Sequence, residues 1–459
     1  MSRIIDPPSI RDTLAGNPDR MLQLLGRLSP DKERILQIAD SAAGYLHWTD
    51  FRHKRPFPEG ITREEGWAIV RLHRSSVAKR LPFQSKAGQS ITVALTDGLH
   101  AAVRRVSAHR NLIRAGIPEN PHSELPEEMR TFGLKALIDE AYYSAVIEGA
   151  VSTRKDARRM IREEATPRDH SERMILNNYR AGKKMAEQWI HEPMSPALLC
   201  EIQKTLTEET LEDPADWGQF RSGPVHVVDE QTQEVVHTGP DPDELPARIE
   251  QLCEFANYEN SDDPVPVLVR ACLLHYQLAY DHPFGDGNGR TARWLFLWRL
   301  LRCPEYWWVA MLSISRMTSQ GRQDYYDSFR FAQSDGDDAT YLVRHQLAAM
   351  EREMDRFARF LTRRRDLRIH LREFIPRHED LNSRQTALLE HAMNAKEPVY
   401  TQPVHRAFHD VTQPTAREDL ERLVTWGLLE RREGRPIRYI PTELLAQARR
   451  AHHAARERD

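Results

Sequence analysis

Apolar residues recur at helical spacing along most of this chain. Leu268, Cys272, Leu274 and Leu278 mark the run 265–280 as a helix by period and length. The segment 291–298, Thr-Ala-Arg-Trp-Leu-Phe-Leu-Trp, is apolar enough for a buried helix. Stretches 30–45 and 62–78 also read as helical, and 338–374 reads as a long charged helix with Leu342, Leu347, Met350, Met354, Phe357 and Leu361 on a drifting stripe. Alternation replaces this period at 225–228 and 234–237, two short strands around the polar turn 229–233, with Gly239-Pro240-Asp241-Pro242 ending the second. The pattern predicts a mainly α protein with one central β-hairpin.

Residues 381–441 form a module of their own. Asn382 and Gln385 make a capping-box start for a helix through His391, Thr401 begins a second, and Thr412 with Pro414 begins a third. The third carries Ala416, Leu420, Leu423 and Val424 on one face and stops at Gly427. Strands at 428–431 and 437–440 flank the turn Glu433-Gly434-Arg435-Pro436, which completes the pattern of a winged helix. The expected order is an N-terminal helical region of unknown role (1–90), a core (91–336), a linking helix (337–378), the winged helix (379–445) and a basic, Ala-rich tail (446–459). A Pro-rich stretch at 117–126 reads as a connection before a helix over about 138–149.

The composition is that of an ordinary globular chain, since 459 residues at 40% hydrophobic and 29% charged suffice for two to four domains. A formal net charge of −3 gives no overall field to attract nucleic acid or an anionic membrane. Cys200, Cys253, Cys272 and Cys303 are scattered without a CxxC spacing, so neither a disulfide framework nor a zinc site is indicated. The start has no apolar leader run and no segment approaches a membrane span, so a cytoplasmic protein is expected.

The chemistry concentrates at 282–293, His-Pro-Phe-Gly-Asp-Gly-Asn-Gly-Arg-Thr-Ala-Arg. Gly287 and Gly289 can take φ > 0, so the N–H groups around Asn288 can converge on one anion, and the helix that follows adds its positive end. Arg290 and Arg293 are three apart and share a face there. Asp286 suits Mg²⁺, which takes one or two protein oxygens and completes its shell with phosphate and water. His282, beside the rigid Pro283, is the candidate base near neutral pH, with Phe284 pointing inward as an anchor. Upstream, Ser144 and Glu148 are four apart and meet on one helix face, with Gly149 as terminator.

The twelve-residue segment resembles the signature of the Fic (filamentation induced by cAMP) family, His-Pro-Phe-x-Asp/Glu-Gly-Asn-Gly-Arg-x-x-Arg, and matches every specified position. The resemblance implies a helical Fic core over 91–336 and transfer of AMP from ATP to a Ser, Thr or Tyr hydroxyl of a target protein, releasing pyrophosphate. It implies that His282 activates the hydroxyl and Asp286 binds Mg²⁺. It further implies that Gly287, Asn288, Gly289 and Arg290 hold the α- and β-phosphates, and Arg293 the γ-phosphate. A Doc-like kinase branch carries lysine at the position of Gly289, which argues for AMP transfer. Tyr325 and Gln333 fall where the family places residues around adenosine, whereas His275 reads as a satisfied core histidine. Asp281 departs from the aliphatic residue usual there and could orient His282.

Ser144, Glu148 and Gly149 resemble the family's inhibitory motif, Ser/Thr-x-x-x-Glu-Gly/Asn, on a helix over about 138–149. By that likeness Glu148 occupies Arg293, takes away a phosphate ligand and repels ATP, so the enzyme rests in an off state. The hairpin at about 224–240 corresponds to the flap that pairs with target backbone as an added strand, here through Val235, Val236 and His237. A winged helix is appended to many Fic proteins. In this one Arg417, Arg422, Arg431, Arg432, Arg435 and Arg438 are diluted by Glu418, Asp419, Glu421, Glu430 and Glu433, which favours protein contact or a homodimer over DNA. Two alternatives remain, removal of AMP at the same site with Glu148 positioning a water, and a DNA-binding regulator whose core senses nucleotide.

Overall fold

The protein is described here from a computed structural model covering residues 4–14, 30–41, 44–114, 127–211, 213–228, 233–260, 262–372, 381–395, 398–409, 411–447 and 449. The expected Pro-rich connection at 117–126, the flap turn at 229–232 and the tail beyond 449 lie outside these residues. Apart from short pieces between 116 and 131, the chain divides into a unit ending at Met354 and a second from Asp355 onward. Among the described residues no helix is long and apolar enough to cross a membrane.

The first unit is built on helix Val267–Asp281, whose residues Leu268 to Leu278 are all buried, among them Arg270, His275 and Gln277. It packs against the equally buried helix Asn288–Leu301, and the turn between them is the 282–287 loop. Helices His170–Glu187, Pro196–Thr207 and Leu245–Asn257 close around this pair. Helix ends follow local signals, with Asp169 and Ser195 accepting from Glu172 N and Leu198 N at the N-caps. At Gly182 the packing is tightest, because a Cβ there would collide with Leu137 and come within 2.7 Å of the Trp294 ring.

The region 1–90 is not separate from the core. Helix Arg63–Ser76 opens on a Thr62/Glu65 capping box and leads into an antiparallel hairpin, Ala78–Gln84 with Ser90–Ala94, that crosses the expected boundary. The sequence pattern predicts only helices here, because the alternation of exposed Lys79, Arg80 and Gln84 with buried Leu81, Phe83 and Ser85 runs too short to mark a strand. Long-range bonds fuse the region to the core: Tyr45 Oη donates to Asp338 (2.5 Å), Arg74 donates to Tyr341 Oη (2.9 Å), and Thr92 N donates to Asp337 O (3.1 Å).

The central hairpin pairs His226–Val228 with Val235–Thr238, in the register His226↔Thr238, Val227↔His237 and Val228↔Val235. Helix Thr340–Arg372 occupies the stretch expected to link the two parts. In the second unit helices Ser383–Asn394, Gln402–His409 and Gln413–Thr425 precede an antiparallel pair, Leu429–Arg432 with Arg438–Pro441. Leu389, Leu420, Leu423, Leu428 and Tyr439 form its core, and Asn382 with Gln385 makes a reciprocal capping box.

Gly182→Val should cost about 1–3 kcal/mol through overpacking of the helices behind the 282–287 loop. The midpoint of chemical denaturation checks this, and an unchanged midpoint would contradict the packing.

Candidate active site

Helix Val267–Asp281 ends because His282 takes the left-handed conformation (φ 47°, ψ 56°) and Pro283 cannot continue the ladder. The imidazole Nδ1 lies 3.1 Å from Ala279 O, and a carbonyl only accepts, so Nδ1 carries the proton and Nε2 keeps its lone pair. Burial lowers the His282 pKa below the ordinary histidine value, keeping the ring neutral. Asp281 does not orient it. That carboxylate is fully buried and accepts from Arg248 Nε (2.7 Å) and Gln277 Nε2 (2.8 Å).

The loop is closed by its own asparagine. Asn288 accepts from Phe284 N (2.9 Å) and donates to Phe284 O (2.8 Å), which seats the buried Phe284 ring beneath the turn. Gly287 has the expected positive φ, 84°, but Gly289 is helical. The reason for glycine at 289 is space, since a Cβ would collide with the Glu148 carboxylate. Arg290 is 1% exposed and donates to Leu206 O (3.1 Å) and Asp286 Oδ2 (2.6 Å). The side chains of Asn288 and Arg290 therefore build the loop instead of facing phosphate. What remains for an anion is the N–H set of the first helical turn and the Arg293 guanidinium.

Asp286 is half exposed at the loop's surface, with one oxygen on Arg290. Among the described residues no group of three or more His, Cys, Asp or Glu could hold a metal. A lone exposed carboxylate still fits Mg²⁺, whose other ligands are phosphate and water.

Helix Glu127–Ile147 brings the upstream motif to the same place. Arg293 Nε donates to Ser144 Oγ (2.9 Å), and its Nη2 donates to Ser144 O (2.9 Å) and Glu148 Oε1 (2.8 Å). Gly149 follows with φ 91°, a conformation that ends the helix. Burial opposes the Arg293 charge, yet Glu148, Tyr325 and Glu140 around it leave the guanidinium more firmly protonated than usual. Glu140, one turn before Ser144, went unnoticed in the sequence; its buried carboxylate accepts from Ser315 N (3.0 Å) and Ser315 Oγ (2.5 Å).

Tyr325 is buried beside this pair, its hydroxyl 2.8 Å from His275 Nε2, and burial raises its pKa. Tyr326 Oη donates to Ile147 O (3.3 Å), touching the end of the upstream helix. Gln333 lies elsewhere. Its amide donates to His237 Nδ1 (3.2 Å), while His237 Nε2 donates to Tyr280 O (2.6 Å). His237 thus anchors the hairpin to the helix bearing His282, Val235 is well exposed, and Val236 is half-buried.

Two positioning residues had no sequence signal because their partners are mostly backbone groups distant along the chain. Arg221 donates to His282 O (2.8 Å), Gly223 O (2.7 Å) and Pro240 O (2.7 Å), tying the hairpin base to the loop. Gln203 donates to Asp286 O (3.0 Å) and accepts from Gly218 N (2.7 Å).

Comparison with known proteins gives the same address. Residues 193–300 match the Fic/DOC family model. The chain is 29% identical over 188 residues to the protein adenylyltransferase Fic of Drosophila virilis, covering 39% of this chain and 36% of that one. With the protein of the same name from Nematostella vectensis it shares 29% over 246 residues, 52% of each chain. The chain thus spans about a third to a half of the length of these curated relatives. Its fold is similar to that of a Fic family protein from Desulfovibrio desulfuricans G20, with a TM-score of 0.51 and 20% identity over 79% of this chain and 98% of that one. The His282–Arg293 loop lies inside the segment that matches the Fic/DOC family.

Proposed function

We propose that the chain is a protein adenylyltransferase held off at rest, moving AMP from ATP to a Ser, Thr or Tyr hydroxyl of another protein. The observation that carries this reading is the Glu148 carboxylate on Arg293, beside a neutral His282 whose Nε2 is available. His282 takes the hydroxyl proton as the oxygen bonds to the α-phosphorus, and the bond from that phosphorus to the pyrophosphate oxygen breaks. Backbone N–H groups at the start of helix Asn288–Leu301 receive the phosphate charge, and Arg293 receives the γ-phosphate once Glu148 has left. Mg²⁺, held by Asp286, would neutralise charge on the phosphates.

The relatives named protein adenylyltransferase support the activity, and the hairpin anchored through His237 supports a protein substrate added along its exposed strand. The second unit gives DNA little support. Arg431 lies 3.2 Å from Glu433 and 3.6 Å from Glu421, Arg432 lies 3.4 Å from Glu430, and Asp419 turns inward onto Arg384. A protein partner or second copy is the better occupant of that unit.

His282→Ala should lower AMP transfer by at least about 100-fold and leave ATP affinity within about twofold, because the base acts on the hydroxyl. Since burial lowers the imidazole pKa, the pH at which the rate falls to half should lie below the ordinary histidine value of about 6.5. A decline already beginning at pH 7.5 would contradict this.

Glu148→Gly should raise incorporation of labelled AMP at least about tenfold, and adding Arg293→Ala should remove the gain. If the double variant stays as active as Glu148→Gly alone, the switch is wrong. If Glu148→Gly gains nothing and loses the ability to strip AMP from a modified protein, the reverse reaction becomes the better reading.

Asp286→Ala in the Glu148→Gly background should require roughly tenfold more magnesium for half-maximal transfer, read from a titration. An unchanged requirement would move the metal site elsewhere.

A further inference from the structure

The turn of the N-terminal hairpin lies beside the flap. Its turn residues Lys86 and Ala87 are exposed beside strand Val235–Thr238 of the flap, and together they bound a groove of about 380 Å³. All four residues of that strand line the groove although successive side chains point to opposite faces, so the groove runs along the strand's edge. That edge is unpaired among the described residues, because the sheet has two strands and the partner lies on the other side.

Both walls are fixed to one residue. Lys86 N donates to Tyr280 Oη (2.9 Å) on one side, and His237 Nε2 donates to Tyr280 O (2.6 Å) on the other. Arg248 reinforces the first wall by donating to Gln84 O (2.6 Å) while gripping Asp281. Tyr280 lies in the last turn of the helix that ends at His282, so the groove is built on the element that carries the base. The walls are pinned before any substrate arrives, which reduces the entropy cost of binding an extended chain.

The charges in the groove are unequal. Lys86 has no ion pair among the described residues and is exposed, free to meet an incoming group. Asp337 also lines the groove, but it is buried and burial disfavours its charged form. His237 is held neutral by the same effect.

Resting on the adenylyltransferase reading, we propose that the 85–88 turn is a second jaw of the target site, and that Lys86 selects an extended segment with an acidic residue near the modified hydroxyl. The flap supplies backbone pairing, which is indifferent to sequence, and Lys86 supplies the preference.

The test uses the full chain carrying His282→Ala, so that binding is read without turnover. Fluorescence anisotropy is measured with labelled short peptides that have a central Thr flanked by Glu, by Ala or by Lys. The Glu peptide should bind at least about tenfold tighter than the Lys peptide, with the gap shrinking at high salt. Lys86→Glu should reverse that order, Lys86→Ala should flatten it, and the control Lys79→Glu, on the same hairpin but outside the groove, should leave it intact. Equal binding of all peptides, binding of none up to about 1 mM, or an order unchanged by Lys86→Glu in a normally folded chain overturns the proposal. Labelled-ATP transfer by the Glu148→Gly chain is measured separately. Its complete absence would refute the adenylyltransferase reading, whereas the peptide order still decides the jaw.

Discussion

A guanidinium as enclosed as that of Arg293 must find acceptors within the protein, because an unpaired buried charge is strongly destabilising. In the resting chain those acceptors are Ser144 and Glu148. Ser144 supplies a hydroxyl and a backbone carbonyl that stay put, whereas Glu148 supplies a carboxylate at the partly exposed end of its helix. The arginine is thus held in position by one residue and occupied by the other. In the proposed switch that division would let a phosphate replace Glu148 while Arg293 keeps its two bonds to Ser144. Gly289 belongs to the same constraint, since a Cβ there would push the Glu148 carboxylate from its place over the helix start.

Around this contact the loop is preorganised by hydrogen bonds to backbone. Asn288 closes the turn, Arg290 and Gln203 fix Asp286 from two sides, and Arg221 holds the carbonyl of His282. The Nδ1 bond to Ala279 sets the tautomer. These groups leave the reacting positions little freedom, which is how a site acts by positioning and fixed charge. Tyr280 extends the order outward, because its carbonyl anchors the flap and its hydroxyl anchors the N-terminal hairpin.

Legibility followed the range of the interaction. The 3.6-residue period exposed the helix before the loop, a continuous apolar run the one after it, and local capping chemistry at Asn382 and Thr412 marked helix starts in the second unit. The pairing of Ser144 with Glu148 followed from their spacing on a helix, and Arg293 entered through the resemblance. Gly289 was expected in a positive-φ turn and proved helical, because space and backbone freedom leave the same residue in the sequence.

The sequence by itself determined the helices on either side of the loop, the central hairpin, and the spacing within the twelve-position loop and between Ser144 and Glu148, all encoded by neighbours in the chain. Only the tertiary structure decided which functional side chains were spent on scaffolding. Asn288, Arg290 and His237 look like ligands in one dimension, but Asn288 bonds to Phe284, Arg290 to Leu206 and Asp286, and His237 to Tyr280 and Gln333. The same holds for Asp281, claimed by Arg248, and for the 78–94 hairpin, whose place beside the flap depends on bonds spanning nearly two hundred residues. A buried polar group takes the partner that folding brings to it, and that partner has no fixed distance along the sequence.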